Sequence, residues 1–526
     1  MRDHHMNQHA TMPALAVDGL AVLHGERALV RDISFAIPAG GVLTLLGESG
    51  SGKSLLAQAI MGNLPPSLRC AGRVAIGGES TDAADQRSRH AGWGRRLALL
   101  PQEPWLALDP TMKVRAQVAE TYELVSQPAA GRWTDGEQAQ ANARTRAGRA
   151  LASLGLQDAA HKYPFMISGG MAQRVAFLAT HAAGAPLMII DEPTKGLDAD
   201  RRGEVLALLQ AAQARGMSLL CITHDIWLAR ALGGQLAVMR DGGLIEQGDA
   251  ARVLAAPRRD YTRLLLAADP AGWPAGAGTG SESAAESAAE YAAESATGSA
   301  AAASAATVPA AEPRLIVTID GIAKSFGRQV LFTGVDARIA AGEIVAVSGP
   351  SGSGKTTFGN IVLGLLKPDA GFVTRAAGLA PTAFQKIQQD PGAAFAPRIS
   401  LRQSLRDLVK LHRLDWALLD DMLARMRLAP ALLDRLPHQV SGGELQRIAL
   451  ARVLLMKPAL IFADEPTSRL DPVTQQDVFA LLTQHVRDSG CALLLVTHDE
   501  DIVRSVARRR IVLENSGAAA GAQPGG

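Results

Sequence analysis

A chain of 526 residues can hold two or more domains, each large enough to bury its own core. With 47% hydrophobic and 20% charged residues it is neither wholly disordered nor fibrous, and a formal charge of +2 argues against a broad electrostatic footprint for nucleic acid. Three scattered cysteines, Cys70, Cys221 and Cys491, lack metal-ligand spacing, offer no disulfide framework and suit a reducing cytosol.

Residues 1–13 form a polar stretch without the apolar core of a signal peptide, read as a disordered tail. Its His4, His5 and His9 could bind a metal, but the tail is the better reading. From Gly41 to Leu46 an apolar run reads as a buried strand that feeds a glycine-rich turn, and Leu55–Met61 has helical character. The turn, Gly47-Glu48-Ser49-Gly50-Ser51-Gly52-Lys53-Ser54, is a phosphate-binding loop. Its glycines let backbone amides turn inward around a β-phosphate, the helix N-terminus adds positive charge, Lys53 reaches the β/γ oxygens and the Ser54 hydroxyl ligates Mg²⁺.

Farther along, Ser168-Gly169-Gly170-Met171 precedes a second buried-strand candidate, Leu187–Ile190, which ends at Asp191 and Glu192. A carboxylate at a strand end projects toward the magnesium, and the adjacent Glu192 is placed to orient, or take a proton from, the water attacking the γ-phosphate. Ser218–Ile222 is a third such strand, with His224 just beyond.

Composition then shifts sharply to Ala, Ser, Gly, Glu and Thr over residues 275–312, which reads as a linker. A flexible coil of about 38 residues averages roughly 35 Å end to end, enough for two domains to meet. Glu282, Glu286, Glu290 and Glu294 recur every four residues among alanines there, which allows a transient helix that like charges at that spacing mildly oppose.

Beyond the linker the motifs return in the same order. Gly349-Pro350-Ser351-Gly352-Ser353-Gly354-Lys355-Thr356 is followed by Ser441-Gly442-Gly443-Glu444, strand Leu460–Ala463 with Asp464 and Glu465, and strand Ala492–Val496 with His498. The step from Ser to Asp is 191−168 = 23 in one half and 464−441 = 23 in the other, so one nucleotide-binding unit stands twice in the chain. Thr356 and Asp464 are the second pair of Mg²⁺ ligands. Strands alternating with helices predict an α/β fold with a mainly parallel sheet, its ligand at the carboxyl ends of the strands.

Ser168-Gly-Gly-Met-Ala-Gln-Arg174 and Ser441-Gly-Gly-Glu-Leu-Gln-Arg447 resemble the signature of ATP-binding cassette (ABC) ATPases, departing from it where Met171 and Glu444 stand in place of Gln. The resemblance implies two P-loop ABC-type domains in tandem, 14–270 and 314–515, each with a parallel-sheet core and a helical subdomain, joined by a linker at 271–313 and ended by a disordered tail at 516–526. Residues 103–167 and 390–440 are expected to form the helical subdomains. It implies that Gln102 and Gln389 are the loop glutamines that meet the metal and γ-phosphate site, and that His224 and His498 sense the γ-phosphate. Asp198 and Asp471 would lie in loops at the interface of the halves. By the same resemblance Phe326 stacks on adenine, with His24 at the matching place, since 53−24 and 355−326 both equal 29. Family geometry is head to tail, so Ser168, Gly169 and Gly170 would serve the Lys355 loop, and Ser441, Gly442 and Gly443 the Lys53 loop.

Tyr163-Pro164 before the first signature and Asp260-Tyr261-Thr262 near the end of the first half are similar to ATPases of peptide and nickel importers. That likeness implies ATP and Mg²⁺ as cofactors, two transmembrane permease subunits and an extracytoplasmic solute-binding protein as partners, and a peripheral place on the cytoplasmic face of the membrane. No apolar run of about 18 residues is present, so membrane passage would be supplied by those partners. The alternative is a soluble tandem ABC protein acting on ribosomes or nucleic acid. Against it stand the Ala/Ser-rich linker, where that class usually has a charged helical arm, and the near-zero net charge.

Overall fold

The computed structural model describes residues 12–102, 107–126, 137–275 and 314–514, apart from 183, 196, 198, 328, 351, 381, 468 and 469. His4, His5, His9, Asp198, Ser351, most of the linker and the C-terminal tail lie outside them. The chain divides into two compact units, Met1–Ala267 with Asp471–Val473, and Ala268–Leu470 with Thr474–Gly526.

In the first unit, strands β3 (Val42–Leu46), β6 (Leu97–Leu100), β7 (Leu187–Asp191), β8 (Ser218–Thr223), β9 (Gln235–Arg240) and β10 (Gly243–Asp249) build one sheet in the order β10-β9-β3-β8-β7-β6. All neighbours run parallel except β9 and β10. Strands β3, β7 and β8 are buried along nearly their whole length, as continuous apolar runs in a sheet covered on both faces must be. A separate antiparallel sheet, β2-β1-β4-β5, comprises β1 (Leu15–His24), β2 (Arg27–Ile37), β4 (Leu68–Ile76) and β5 (Glu79–Asp82). It closes over helix α1 (Lys53–Met61), with Leu20, Val22, Val30 and Ile33 packed in one cluster with Leu56 and Ile60. Between β6 and β7 the helices α2 (Val114–Ser126), α3 (Glu137–Ser153) and α4 (Gly169–Ala182) form the helical region, cored by Val118, Leu151, Val175 and Phe177.

The second unit repeats this plan. Its sheet, β15-β16-β17-β13-β18, is parallel throughout and consists of β13 (Ile344–Ser348), β15 (Phe384–Ile387), β16 (Leu460–Asp464), β17 (Ala492–Val496) and β18 (Arg509–Val512). Strands β11 (Leu315–Phe326), β12 (Gln329–Ala340) and β14 (Ala370–Arg375) form the antiparallel sheet. Helix α5 (Lys355–Val362) follows the phosphate loop. Helices α6 (Leu401–His412) and α7 (Trp416–Arg425) pack Leu405, Leu419 and Leu423 with Leu445 and Ile448 of α8 (Gly442–Leu455).

Of the segment read as linker, residues 271–275 are described. Residues Pro270–Gly272 form a short 3-10 turn, and Trp273 packs edge-on against Phe479, ring centroids 6.1 Å apart, within the second unit. A large aromatic side chain gains more by leaving water than a neighbouring Ala/Gly-rich composition indicates. The three cysteines are buried, unpaired thiols.

Candidate functional site

In the first unit, adjacent parallel strands deliver four motifs to one sheet end. Strand β3 ends in the phosphate loop, β7 ends at Asp191, β8 is followed directly by His224, and Gln102 stands two residues after β6. The loop demands glycine at two places. A Cβ on Gly47 would sit 2.3 Å from the Met239 carbonyl oxygen, and Gly52, which caps α1, has φ +99°. Lys53 is buried, its Nζ donating to the carbonyl oxygens of Gly47 at 2.7 Å and Glu48 at 2.8 Å and to Ser51 Oγ at 3.3 Å. Burial pulls its amine below the ordinary lysine range, while Glu192 and Asp191 oppose that pull.

Burial also pushes the Asp191 carboxyl up, offset by a hydrogen bond with Ser54. Asp191 Oδ1 is buried with no hydrogen-bond partner. A hydroxyl and a carboxylate side by side, with an unmatched buried oxygen, is a donor set suited to a hard cation such as Mg²⁺. Glu192 adopts a left-handed backbone, φ 51°, held by its N–H donating to Ile222 O at 2.8 Å. Such a conformation costs a non-glycine residue of order 1 kcal/mol or more and aims the carboxylate back across β8. There Glu192 Oε1 lies 2.9 Å from His224 Nδ1, and Thr223 Oγ1 donates to Oε2 at 3.3 Å. Burial acts to raise this carboxyl, but His224, followed by Lys53 and Lys195, outweighs it and holds the group below the usual glutamate range.

The second unit assembles the same cluster. Lys355 Nζ donates to Gly349 O at 2.9 Å and Pro350 O at 3.0 Å, and Thr356 hydrogen-bonds Asp464. Glu465 repeats the left-handed backbone, φ 47°, and its Oε1 lies 2.9 Å from His498 Nε2. Gln389 Nε2 donates to Glu465 Oε2 at 2.8 Å, joining the loop glutamine to the carboxylate.

The signatures sit at the N-termini of α4 and α8. Ser441 and Glu444 form a reciprocal capping box: Ser441 N–H and Oγ–H both donate to Glu444 Oε2 at 2.8 Å, and Glu444 N–H donates to Ser441 Oγ at 3.3 Å. In the counterpart, Ser168 Oγ accepts a long 3.4 Å bond from Met171 N–H. Gln173, inside α4, donates to Pro193 O and ties the signature helix to the turn holding Glu192. His24 and Phe326 end β1 and β11 at the same hairpin position, paired with Arg27 and Gln329. The Phe326 ring is 54% exposed, with Lys324 Nζ 5.5 Å from its centroid.

Three contributors were not foreseen from the motifs. Tyr261 Oη accepts from the Glu48 N–H at 3.1 Å, Thr223 reaches Glu192, and Lys386 approaches Asp464. Among these only Tyr261 lay in a segment the sequence singled out.

A sequence model described as ABC transporter matches residues 30–195 and again 332–468. The peptidoglycan transport ATP-binding protein YejF of Agrobacterium fabrum is 30% identical over 97% of this chain and 92% of its own. The glutathione import ATP-binding protein GsiA of Escherichia coli is 30% identical over 92% of this chain and 82% of its own. Among solved structures, an RNase-L inhibitor superposes with a TM-score of 0.60 at 19% identity, covering 94% of this chain and 87% of its own, which shows the fold. Twice-repeated motifs on twice-repeated sheets, with these full-length relatives, identify the chain as a member of the ABC transporter family carrying two ATPase domains.

Proposed function

We propose that the chain hydrolyses ATP at two sites and uses the energy to drive solute import through separate permease subunits, from the cytoplasmic face of the membrane. The observation that carries this reading is the pair of clusters Lys53/Asp191/Glu192/His224 and Lys355/Asp464/Glu465/His498 in a chain whose relatives over more than nine-tenths of its length are transport ATP-binding proteins. No helix among the described residues is long and apolar enough to cross a membrane, so solute movement calls for membrane partners. Of the solutes read from the sequence, the names of the relatives favour a peptide-like one.

The chemistry follows from the geometry. Residues 47–54 and 349–356 would cradle the phosphates with inward amides, Lys53 and Lys355 drawing charge from the β/γ oxygens. His24 and Phe326 would lie against adenine. Ser54, Asp191 and Gln102, and Thr356, Asp464 and Gln389, would hold Mg²⁺, which when bound supplies charge neutralisation at the phosphates. Glu192 and Glu465, held by His224 and His498, would orient and deprotonate the attacking water. Residues 168–170 and 441–443 would complete the opposite loop when ATP draws the halves together, ordering closure and hydrolysis in a cycle that moves the permeases.

Co-expression with a permease pair tests the import reading. One copy of the chain is expected to co-purify per pair, with ATPase activity in membranes raised by solute-loaded binding protein. Sedimentation with ribosomes and indifference to the permeases would overturn it and favour the soluble alternative.

A further inference from the structure

One difference between the two clusters is a largely buried cation beside the strand-end carboxylate of the second. Three residues before the loop glutamine the first unit carries Leu99, and the second carries Lys386. The register of β15 on β16 pairs Lys386 with Phe462, two residues before Asp464. The Lys386 side chain is only 14% exposed, and its Nζ lies 4.0 Å from Asp464 Oδ2. It donates to Asn360 Oδ1 at 3.1 Å and sits 5.4 Å from the centroid of the Phe462 ring. A buried ammonium is costly unless its charge is met, and here a carboxylate, an amide oxygen and an aromatic face meet it. In the first unit Gln58 replaces Asn360, Leu99 replaces the ammonium, and the equivalent carboxylate keeps Oδ1 buried without a partner.

We infer that Lys386 is a built-in counter-cation that makes ATP binding at the second site less dependent on Mg²⁺ than at the first. The inference rests on the reading of Asp464 as the carboxylate that faces the metal and phosphates. Without a divalent cation such a carboxylate repels the polyphosphate, and the repulsion is strong in a poorly solvated site. An ammonium fixed beside Asp464 offsets that charge before any metal arrives, and it lessens what the metal then gains. Removing it reverses both effects. As free Mg²⁺ falls, the first site releases nucleotide before the second.

The test measures binding of a methylanthraniloyl-labelled ATP to the full chain, in EDTA and in excess Mg²⁺, with Lys53→Ala silencing the first loop. The ratio of the two dissociation constants reports the coupling to metal. Lys386→Met is expected to raise that ratio about tenfold, mainly by weakening binding in EDTA. Lys386→Arg keeps the charge and is expected to stay near the parent value, whereas a role confined to packing would move stability and leave the ratio alone. The converse change, Leu99→Lys with Lys355→Ala silencing the second loop, is expected to lower the ratio of the first site. A ratio within twofold of the parent in Lys386→Met, with nucleotide still bound, overturns the inference while the site stands. Absence of binding by the Lys355 loop in either condition overturns the ATP site itself, and the inference with it.

Discussion

Tyr261 holds the phosphate loop of the first unit from behind: its hydroxyl oxygen accepts the Glu48 N–H at 3.1 Å, and its buried ring lies beneath the Arg240 guanidinium, 4.8 Å from the ring centroid. The bond fixes one amide of the loop, and a second, Ser51 N–H, donates to Glu48 O at 3.2 Å. Burial pushes the Tyr261 phenol up, so it stays neutral across the physiological range.

Tyr261→Phe removes that acceptor and leaves the ring in place. A lost neutral hydrogen bond is worth about 1 kcal/mol, so ATP affinity at the Lys53 loop is expected to fall roughly fivefold. Nucleotide photolabelling mapped to each loop checks this, with labelling at the Lys355 loop unchanged.

In the proposed mechanism His224 governs the ionisation of Glu192. The Glu192 carboxyl is held below the ordinary glutamate range by His224 and lysines despite its burial. A lowered carboxyl contributes stability above its unfolded-state pKa and loses it as pH falls through the folded value. In His224→Ala burial dominates, the carboxyl rises, and the acid limb of the ATPase pH profile moves toward neutral pH. A uniform loss of rate with an unshifted limb would assign His224 a role unrelated to the ionisation of Glu192.

Trp273 belongs energetically to the second unit through its contact with Phe479, and the Arg504 guanidinium donates to Ala271 O at 3.3 Å nearby. Truncation of a partly buried aromatic costs about 2 kcal/mol. Trp273→Ala is therefore expected to lower the calorimetric transition of the second unit and spare that of the first. An unchanged thermogram would contradict the packing.

The parallel sheets were legible because β3, β7, β8, β16 and β17 are mainly apolar runs, each delivering a motif at its carboxyl end. The antiparallel sheets were not read. Strand β4, with Arg69 and Arg73 among its residues, and β2, buried on alternate stretches only, lack any run that separates strand from loop. Lys386 was invisible for another reason. A lysine in a strand reads as solvent-facing, and only the pairing of β15 with β16 brings it to a carboxylate 78 residues onward, since 464−386 = 78. The left-handed backbones of Glu192 and Glu465 likewise need the neighbouring strand, whose Ile222 and Val496 carbonyls accept their N–H groups.

The most direct test of the account is steady-state ATP hydrolysis by the full chain carrying Glu192→Gln and Glu465→Gln, with ATP binding measured alongside. A neutral amide keeps the size of the side chain but takes no proton from water, so turnover is expected to fall by a factor of order 10² or more while ATP still binds. Near wild-type turnover in the double variant would contradict the assignment of both glutamates and with it the proposed mechanism.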